Sequence, residues 1–206
     1  APEIPFWAWQ AAKVPDRAAQ LISPSDLGGD KIIFGESDAL GEAEAKTRGT
    51  AVHLLLEHLP GLPQTAWADI AVALIPDAIL RSDTLAEATA VLTSADLAPI
   101  FAADAFAEVS FGADLLGRRA YGTIDRLLIR PDHVLAVDFK TNRLVPGTAD
   151  RVPEGILRQM GAYAEALQQI YPTRRIEAAI LWTRSASLMP LPADIVRAAM
   201  QRATIP

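Results

Sequence analysis

The stretch GTIDRLLIRPDHVLAVDFKTNR, residues 122 to 143, sets two aspartates and a lysine, Asp125, Asp138 and Lys140, inside apolar runs that read as strands. A charged group in a buried strand is costly unless something pairs it. Between the runs, IRPDHV reads as a tight turn, with Pro131 suited to position i+1 of a type I turn and Asp132 tolerated at i+2. A symmetric loop, two or four residues long, pairs Ile129 with Val134, so that the numbers of paired residues add to 263. Asp125 then falls opposite Asp138, with Cβ atoms about 4.5–5.5 Å apart. Lys140 shares the face of Asp138, because side chains alternate along a strand. One ammonium balances one carboxylate and not two. A divalent cation resolves the excess, and carboxylate oxygens are the ligands Mg²⁺ prefers. The plainer alternative is an ion pair on a partly exposed sheet face, and an odd loop length would turn Asp125 to the other side.

Elements must bring these groups together. Three strands are expected at DAFAEVSFGADL, RRAYGTIDRLLI and HVLAVDF, and a fourth at IEAAILWT, residues 176 to 183. Between the third and fourth, an amphipathic helix from about Pro153 to Ile170 carries Ile156, Met160, Tyr163 and Leu167 on one face. Upstream, helices are expected at about 37–59, 65–75 and 83–93, and the last helix is PADIVRAAMQRA. SPSDL offers Ser23 as an N-cap with Pro24 at the first helical position. Helices followed by a three-stranded meander, a crossover helix and a further strand make an α/β domain with a mixed central sheet. Residues 1–22, rich in Ala, Pro and Trp, read as an arm or linker. One domain then occupies 23–206, with a helical insertion at about 60–103.

The 206 residues suit one substantial core, with 50% hydrophobic and 21% charged residues. No apolar run reaches membrane-spanning length. The absence of cysteine excludes disulfides, iron–sulfur clusters and thiolate zinc sites, and fits a reducing, cytoplasmic compartment. The net charge of −6 is unevenly spread: residues 118–184 carry 11 Lys/Arg against 7 Asp/Glu, whereas the remainder is strongly acidic. A local basic excess counts for more than the total in binding an anionic polymer. A first residue other than Met suggests a piece of a longer protein.

GTIDRL (122–127) and VDFKTNR (137–143) resemble the central motifs of the PD-(D/E)XK nuclease superfamily. The chain is similar in particular to the RecB-type nuclease domain at the C-terminus of AddA helicase–nucleases. RGTAVHLLLEHL (48–59) resembles that family's helix with an early histidine, AEVSF (107–111) its first core strand, and QMGAY (159–163) its Q-x-x-x-Y helix. The fold that the resemblance implies is a restriction-endonuclease-like core. It implies metal ligation by His53, Asp125 and Asp138 with the backbone carbonyl of Phe139, and makes Lys140 the catalytic lysine. Gln159 and Tyr163 would position Lys140 or the DNA, and Glu108 would be an accessory acid. Val137 stands where the superfamily's name spells proline.

The activity implied is Mg²⁺-dependent exonucleolytic hydrolysis of DNA during recombinational repair of double-strand breaks. The histidine ligand makes Mn²⁺ a tolerated substitute. The implied partners are DNA, the helicase portion of a parent chain and an AddB-like nuclease subunit, the isolated domain itself being monomeric. No phosphate-loop motif G-x-x-x-x-G-K-[ST] occurs, so the helicase portion lies elsewhere. A non-catalytic DNA-binding or scaffold domain and a stand-alone RecB-like exonuclease are the rivals. Among the remaining residues, Arg143 is a candidate phosphate contact, His58 and His133 read as surface residues, and the four tryptophans could stack on bases, although Trp7 and Trp9 in the arm are rather expected to contact the remainder of a parent protein.

Overall fold

A computed structural model describes residues 21–31, 33 and 41–203. Its centre is a five-stranded sheet in the order β1-β2-β3-β4-β5. Strands β1 (Ala105–Leu115), β2 (Arg118–Ile129) and β3 (His133–Lys140) form the expected antiparallel meander. The Arg130 backbone N–H donates to the His133 carbonyl at 2.8 Å, closing the tight turn around Pro131 and Asp132. Helix α4 (Glu154–Ile170) then crosses to β4 (Arg175–Trp182), which runs parallel to β3. Parallel neighbours need such a crossover.

A fifth strand, β5 (Ser187–Leu191), lies antiparallel at the edge beyond β4. It was not expected, because SLMPL is short and holds a proline. Pro190 cannot donate to a ladder, and an edge strand is where that is tolerated. Helix α5 (Ala193–Gln201) closes the described chain.

The amino-terminal helices are α1 (Glu42–His58), α2 (Trp67–Leu74) and α3 (Ala78–Leu92). The expected helix start at 37 lies outside the described residues. Helix α3 begins five residues before its expected start, because Asp77 is its N-cap: the Asp77 carboxylate accepts the Leu80 backbone N–H at 2.8 Å. Ser23 caps a 3-10 turn, Pro24–Asp26, as its position before a proline suggests. Ile22, placed in the expected arm, is buried and bridges to Ala120 of β2; residues 1–20, with Trp7 and Trp9, lie outside the described residues.

The sheet is buried on both faces, so its central strands read as almost continuous apolar runs. On one face, Val134 and Ala136 of β3 and Ala178, Ile180 and Trp182 of β4 pack with Ile156, Met160, Tyr163 and Leu167 of α4 and with α5. On the other, Val137, Phe139, Ala179 and Leu181 pack with Val52, Leu55, Leu56 and Leu59 of α1 and with α2 and α3. Helices α1 and α4 therefore clamp β3 from opposite sides. Each can lay a polar side chain against the carboxyl end of that strand.

Candidate active site

The ladder between β2 and β3 pairs Arg126 with Val137, Leu127 with Ala136, Leu128 with Leu135 and Ile129 with Val134. Every pair adds to 263, the register that the turn dictates. Pairing stops one step before Asp125 and Asp138. The aspartates therefore stand where the two strands part, and the Asp125 Oδ2 accepts the backbone N–H of Phe139 at 2.5 Å.

Strand β2 breaks its alternation at this point. Ile124 and Leu127, an odd number of residues apart, pack in the same core with α4. Arg126 between them turns the other way, donating to the Leu56 carbonyl of α1 and covering the Phe101 ring at 5.0 Å. Across the strand, Glu108 interrupts β1 with a φ of 49° between the pairs Ala107–Arg126 and Val109–Ile124. That conformation is rare for a residue with a side chain and costs about 1–3 kcal/mol. Its consequence is local. His53 of α1, Glu108 and Asp125 each bring a ligand atom within 4.8 Å of the others, and His53 Nδ1 lies 3.3 Å from Asp125 Oδ1.

Asp138 looks toward α4. Its Oδ1 accepts from Gln159 Nε2 at 2.9 Å and lies 3.4 Å from the Tyr163 hydroxyl. That hydroxyl accepts from Gln159 Nε2 at 2.8 Å and donates to the Thr123 carbonyl at 2.9 Å. Lys140 Nζ forms an ion pair with Asp138 Oδ2 and donates to Gln159 Oε1 at 3.3 Å. Gln159 thus holds both members of the ion pair through its two amide ends. The contacts correct the picture of two carboxylates sharing one face: Asp125 leans to the α1 side and Asp138 to the α4 side, and they come together only at the end of the sheet.

The electrostatics follow from this crowding. Burial raises the pKa of Asp138 and the nearby Asp125 charge adds to the rise, while Lys140 works against it. Burial raises Glu108 too, with the charges of Asp125 and Glu57 pushing the same way. For His53, burial opposes the charged form, but the hydrogen bond to Asp125 and the carboxylates of Asp125 and Asp138 outweigh it, so its pKa lies above the usual 6.5. Tyr163 is held well above 10 by burial and by the charge of Asp138, and stays a neutral hydrogen-bonding group.

These residues fit a divalent cation. His53, Glu108 and Asp125 bring ligand atoms within 4.8 Å of one another, the charge of the neighbouring Asp138 acts on His53, and the ammonium of Lys140 offsets only part of the negative charge. Asp138 Oδ2 is buried, and the Lys140 ammonium that pairs with it leaves a further lone pair for a cation. Oxygen ligands with one imidazole suit Mg²⁺ or Mn²⁺.

Arg143 sits exposed in the loop three residues beyond Lys140. Phe139 has its backbone N–H committed to Asp125 and its ring edge-on to His53, with centroids 5.4 Å apart. Trp67 and Trp182 are core residues, which rules them out as stacking platforms for bases. The imidazoles of His58 and His133 lie beside adjacent acids, Glu57 and Asp132. Sequence reasoning gave Arg126 and Lys31 no role. Arg126 is buried directly beside Asp125, and its place in GTIDR was the available signal. Burial lowers the pKa of Lys31 and the charge of Lys140 adds to the fall, while Asp26 and Asp138 work against it. No local pattern marked it.

The PD-(D/E)XK nuclease superfamily matches residues 34–188 of the chain. This chain is a member of that superfamily, and the mixed sheet between two helical layers is its restriction-endonuclease-like fold. Among solved structures, the chain is similar to the one titled "Crystal structure of SSO0001", with 14% identity and a TM-score of 0.37 over 90% of this chain and 78% of that one. No curated protein sequence matches it. Among the described residues, no helix is long and apolar enough to cross a membrane.

Proposed function

We propose that this domain hydrolyses DNA phosphodiester bonds as the exonuclease of a RecB-type helicase–nuclease of the AddA kind, in recombinational repair of double-strand breaks. The convergence of His53, Glu108 and Asp125 with the Asp138–Lys140–Gln159 cluster at one end of the sheet carries this reading. His53, Asp125 and Asp138, with the Phe139 carbonyl, would hold Mg²⁺, and Glu108 would be an accessory ligand. When bound, the cation polarises the scissile phosphate and lowers the pKa of a ligated water.

The chain's own residues do the rest. Gln159 and Tyr163 fix Asp138 in one rotamer. Lys140, held beside Asp138 by Gln159, presents its ammonium to the attacking water and to the charge that develops on the phosphoryl oxygens. Arg143 and Lys31 lend positive charge along the approach of the strand. DNA is the substrate, the helicase portion of the parent chain and an AddB-like subunit are the partners, and the isolated domain is a cytoplasmic monomer. The rival reading, a non-catalytic DNA-binding domain, leaves the charge excess at the site without a use.

The test is digestion of end-labelled linear single-stranded DNA with Mg²⁺ or Mn²⁺, beside the Asp138→Ala variant. Metal-dependent cleavage that the variant lacks is expected. Cleavage by the variant at an undiminished rate would overturn the site assignment. Metal binding without cleavage by either protein would favour the non-catalytic domain.

A further inference from the structure

A second polar cluster lies behind the site, in the apolar layer between α1, α3 and β3. Arg48 of α1 is 6% exposed and forms ion pairs with Glu87, whose side chain is also 6% exposed, and with Asp83 at 2.9 Å. Glu87 Oε1 accepts a hydrogen bond from the Thr183 hydroxyl, 96 residues away in sequence. Thr183 is fully buried, and its one hydroxyl proton is shared between Glu87 Oε1 and the Lys140 carbonyl, which lies 3.2 Å from the hydroxyl oxygen. The next residue, Arg184, donates from Nε to the Thr141 carbonyl at 3.2 Å. A Cβ on Gly49, beside Arg48, would sit 3.5 Å from Thr141 Oγ1, so α1 packs directly on this strand end.

A tie between two helices does not require this cluster. Apolar side chains of similar volume usually serve as well as a buried ion pair, or better. What the charged pair adds is direction. It places one hydroxyl at the backbone of the residue that pairs with Asp138, and it does so from the helix that carries His53 five residues further on. Two parts of the site, on α1 and on the end of β3, are thereby referred to one another. Backbone placement at this point matters, since a misplacement of about 1 Å in a reacting group can cost about a hundredfold in rate.

We propose that Thr183, held by the buried Arg48–Glu87 pair, is a positioning residue that fixes the backbone of Lys140 relative to His53. The proposal rests on the nuclease reading for its catalytic consequence but not for its structural one.

Thr183→Val keeps the shape and removes the hydroxyl, and Thr183→Ser keeps the hydroxyl. Two readouts separate this proposal from the nuclease reading. In amide hydrogen exchange, Thr183→Val should speed exchange at residues 139–141 by about tenfold or more while residues 134–137 of the same strand stay as in the parent protein; Thr183→Ser should match the parent. In cleavage of single-stranded DNA with Mn²⁺, Thr183→Val should lower kcat about ten- to a hundredfold with KM little changed, and Thr183→Ser should restore it. If the parent protein does not cleave, the nuclease reading fails and exchange alone decides whether the tie exists. Unchanged exchange at 139–141 in Thr183→Val, or a serine variant as impaired as the valine one, would overturn the proposal.

Discussion

Glu108 is the residue at which the site works against the fold. Its backbone is held in a left-handed conformation within a strand, and its carboxylate faces Asp125 and Glu57. Because its folded-state pKa is raised above 4.5, the folded state holds this proton more tightly than the unfolded chain does. Stability from this group is complete below pH 4.5 and is lost as pH rises through the folded-state value. Glu108→Gln removes that loss. In EDTA the variant should melt at about the parent's temperature near pH 4 and above it at pH 7. Thermal unfolding across that range checks the sign, and a variant less stable than its parent at pH 7 would show that Glu108 does not carry an unfavourable charge. Asp138 differs in kind: it is buried deeper, but Lys140 and Gln159 pair it.

At the scale of elements, the segment after Ser23 depends on one close approach. A Cβ on Gly155, at the start of α4, would lie 2.6 Å from the Gly29 carbonyl oxygen and 2.9 Å from that of Asp30. Gly29 has a φ of 86°, which a side chain rarely adopts, and the Gly155 backbone N–H donates to the Asp30 carbonyl at 2.8 Å. Arg158, one turn further along α4, donates to the Leu27 carbonyl at 3.1 Å. These contacts hold the segment that carries Lys31, whose ammonium donates to the Ser25 carbonyl, against α4. Gly155→Ala must push backbone from backbone and should destabilise the domain by about 1–3 kcal/mol. Gly147→Ala, at a loop position with open space around it, should stay within about 0.5 kcal/mol of the parent. Urea unfolding of the two variants makes the comparison. Equal losses would mean that the packing of this segment on α4 is not the constraint described.

For the whole molecule, the site is a charge excess wedged between two apolar layers, and a bound cation should stabilise the entire fold. Mn²⁺ at a hundred times its dissociation constant is worth about 2.7 kcal/mol, and EDTA should reverse the gain. The gain should grow with pH. His53 must be neutral to ligate, and its pKa lies above 6.5, while Glu108 also holds its proton longer than usual. The Mn²⁺-induced rise in Tm should therefore be larger at pH 8 than at pH 6, and His53→Ala should flatten that difference. A rise of the same size at both pH values in the parent protein would remove His53 from the ligand set.

What the sequence determined by itself was governed by neighbours along the chain. The turn at Pro131–Asp132 set the β2–β3 register, the spacing of Ile156, Met160, Tyr163 and Leu167 set the buried face of α4, and motif order named the candidate residues for the site. Strand β5 escaped because an edge strand needs little pattern, and the start of α3 escaped because Asp77 was not read as its cap. Only the tertiary structure decided where the side chains point. Period-two alternation sent Asp125 and Asp138 to one face, but the break at Ile124–Leu127, opposite the left-handed Glu108, turned Asp125 toward α1. The same is true of Gln159 between Asp138 and Lys140, of Lys31 near the site mouth, and of Arg48, Glu87 and Thr183 behind it. The hydrogen-bonded partners among them stand 19 to 96 residues apart, and no local rule relates them. Helices docked on two faces of one sheet bring them together.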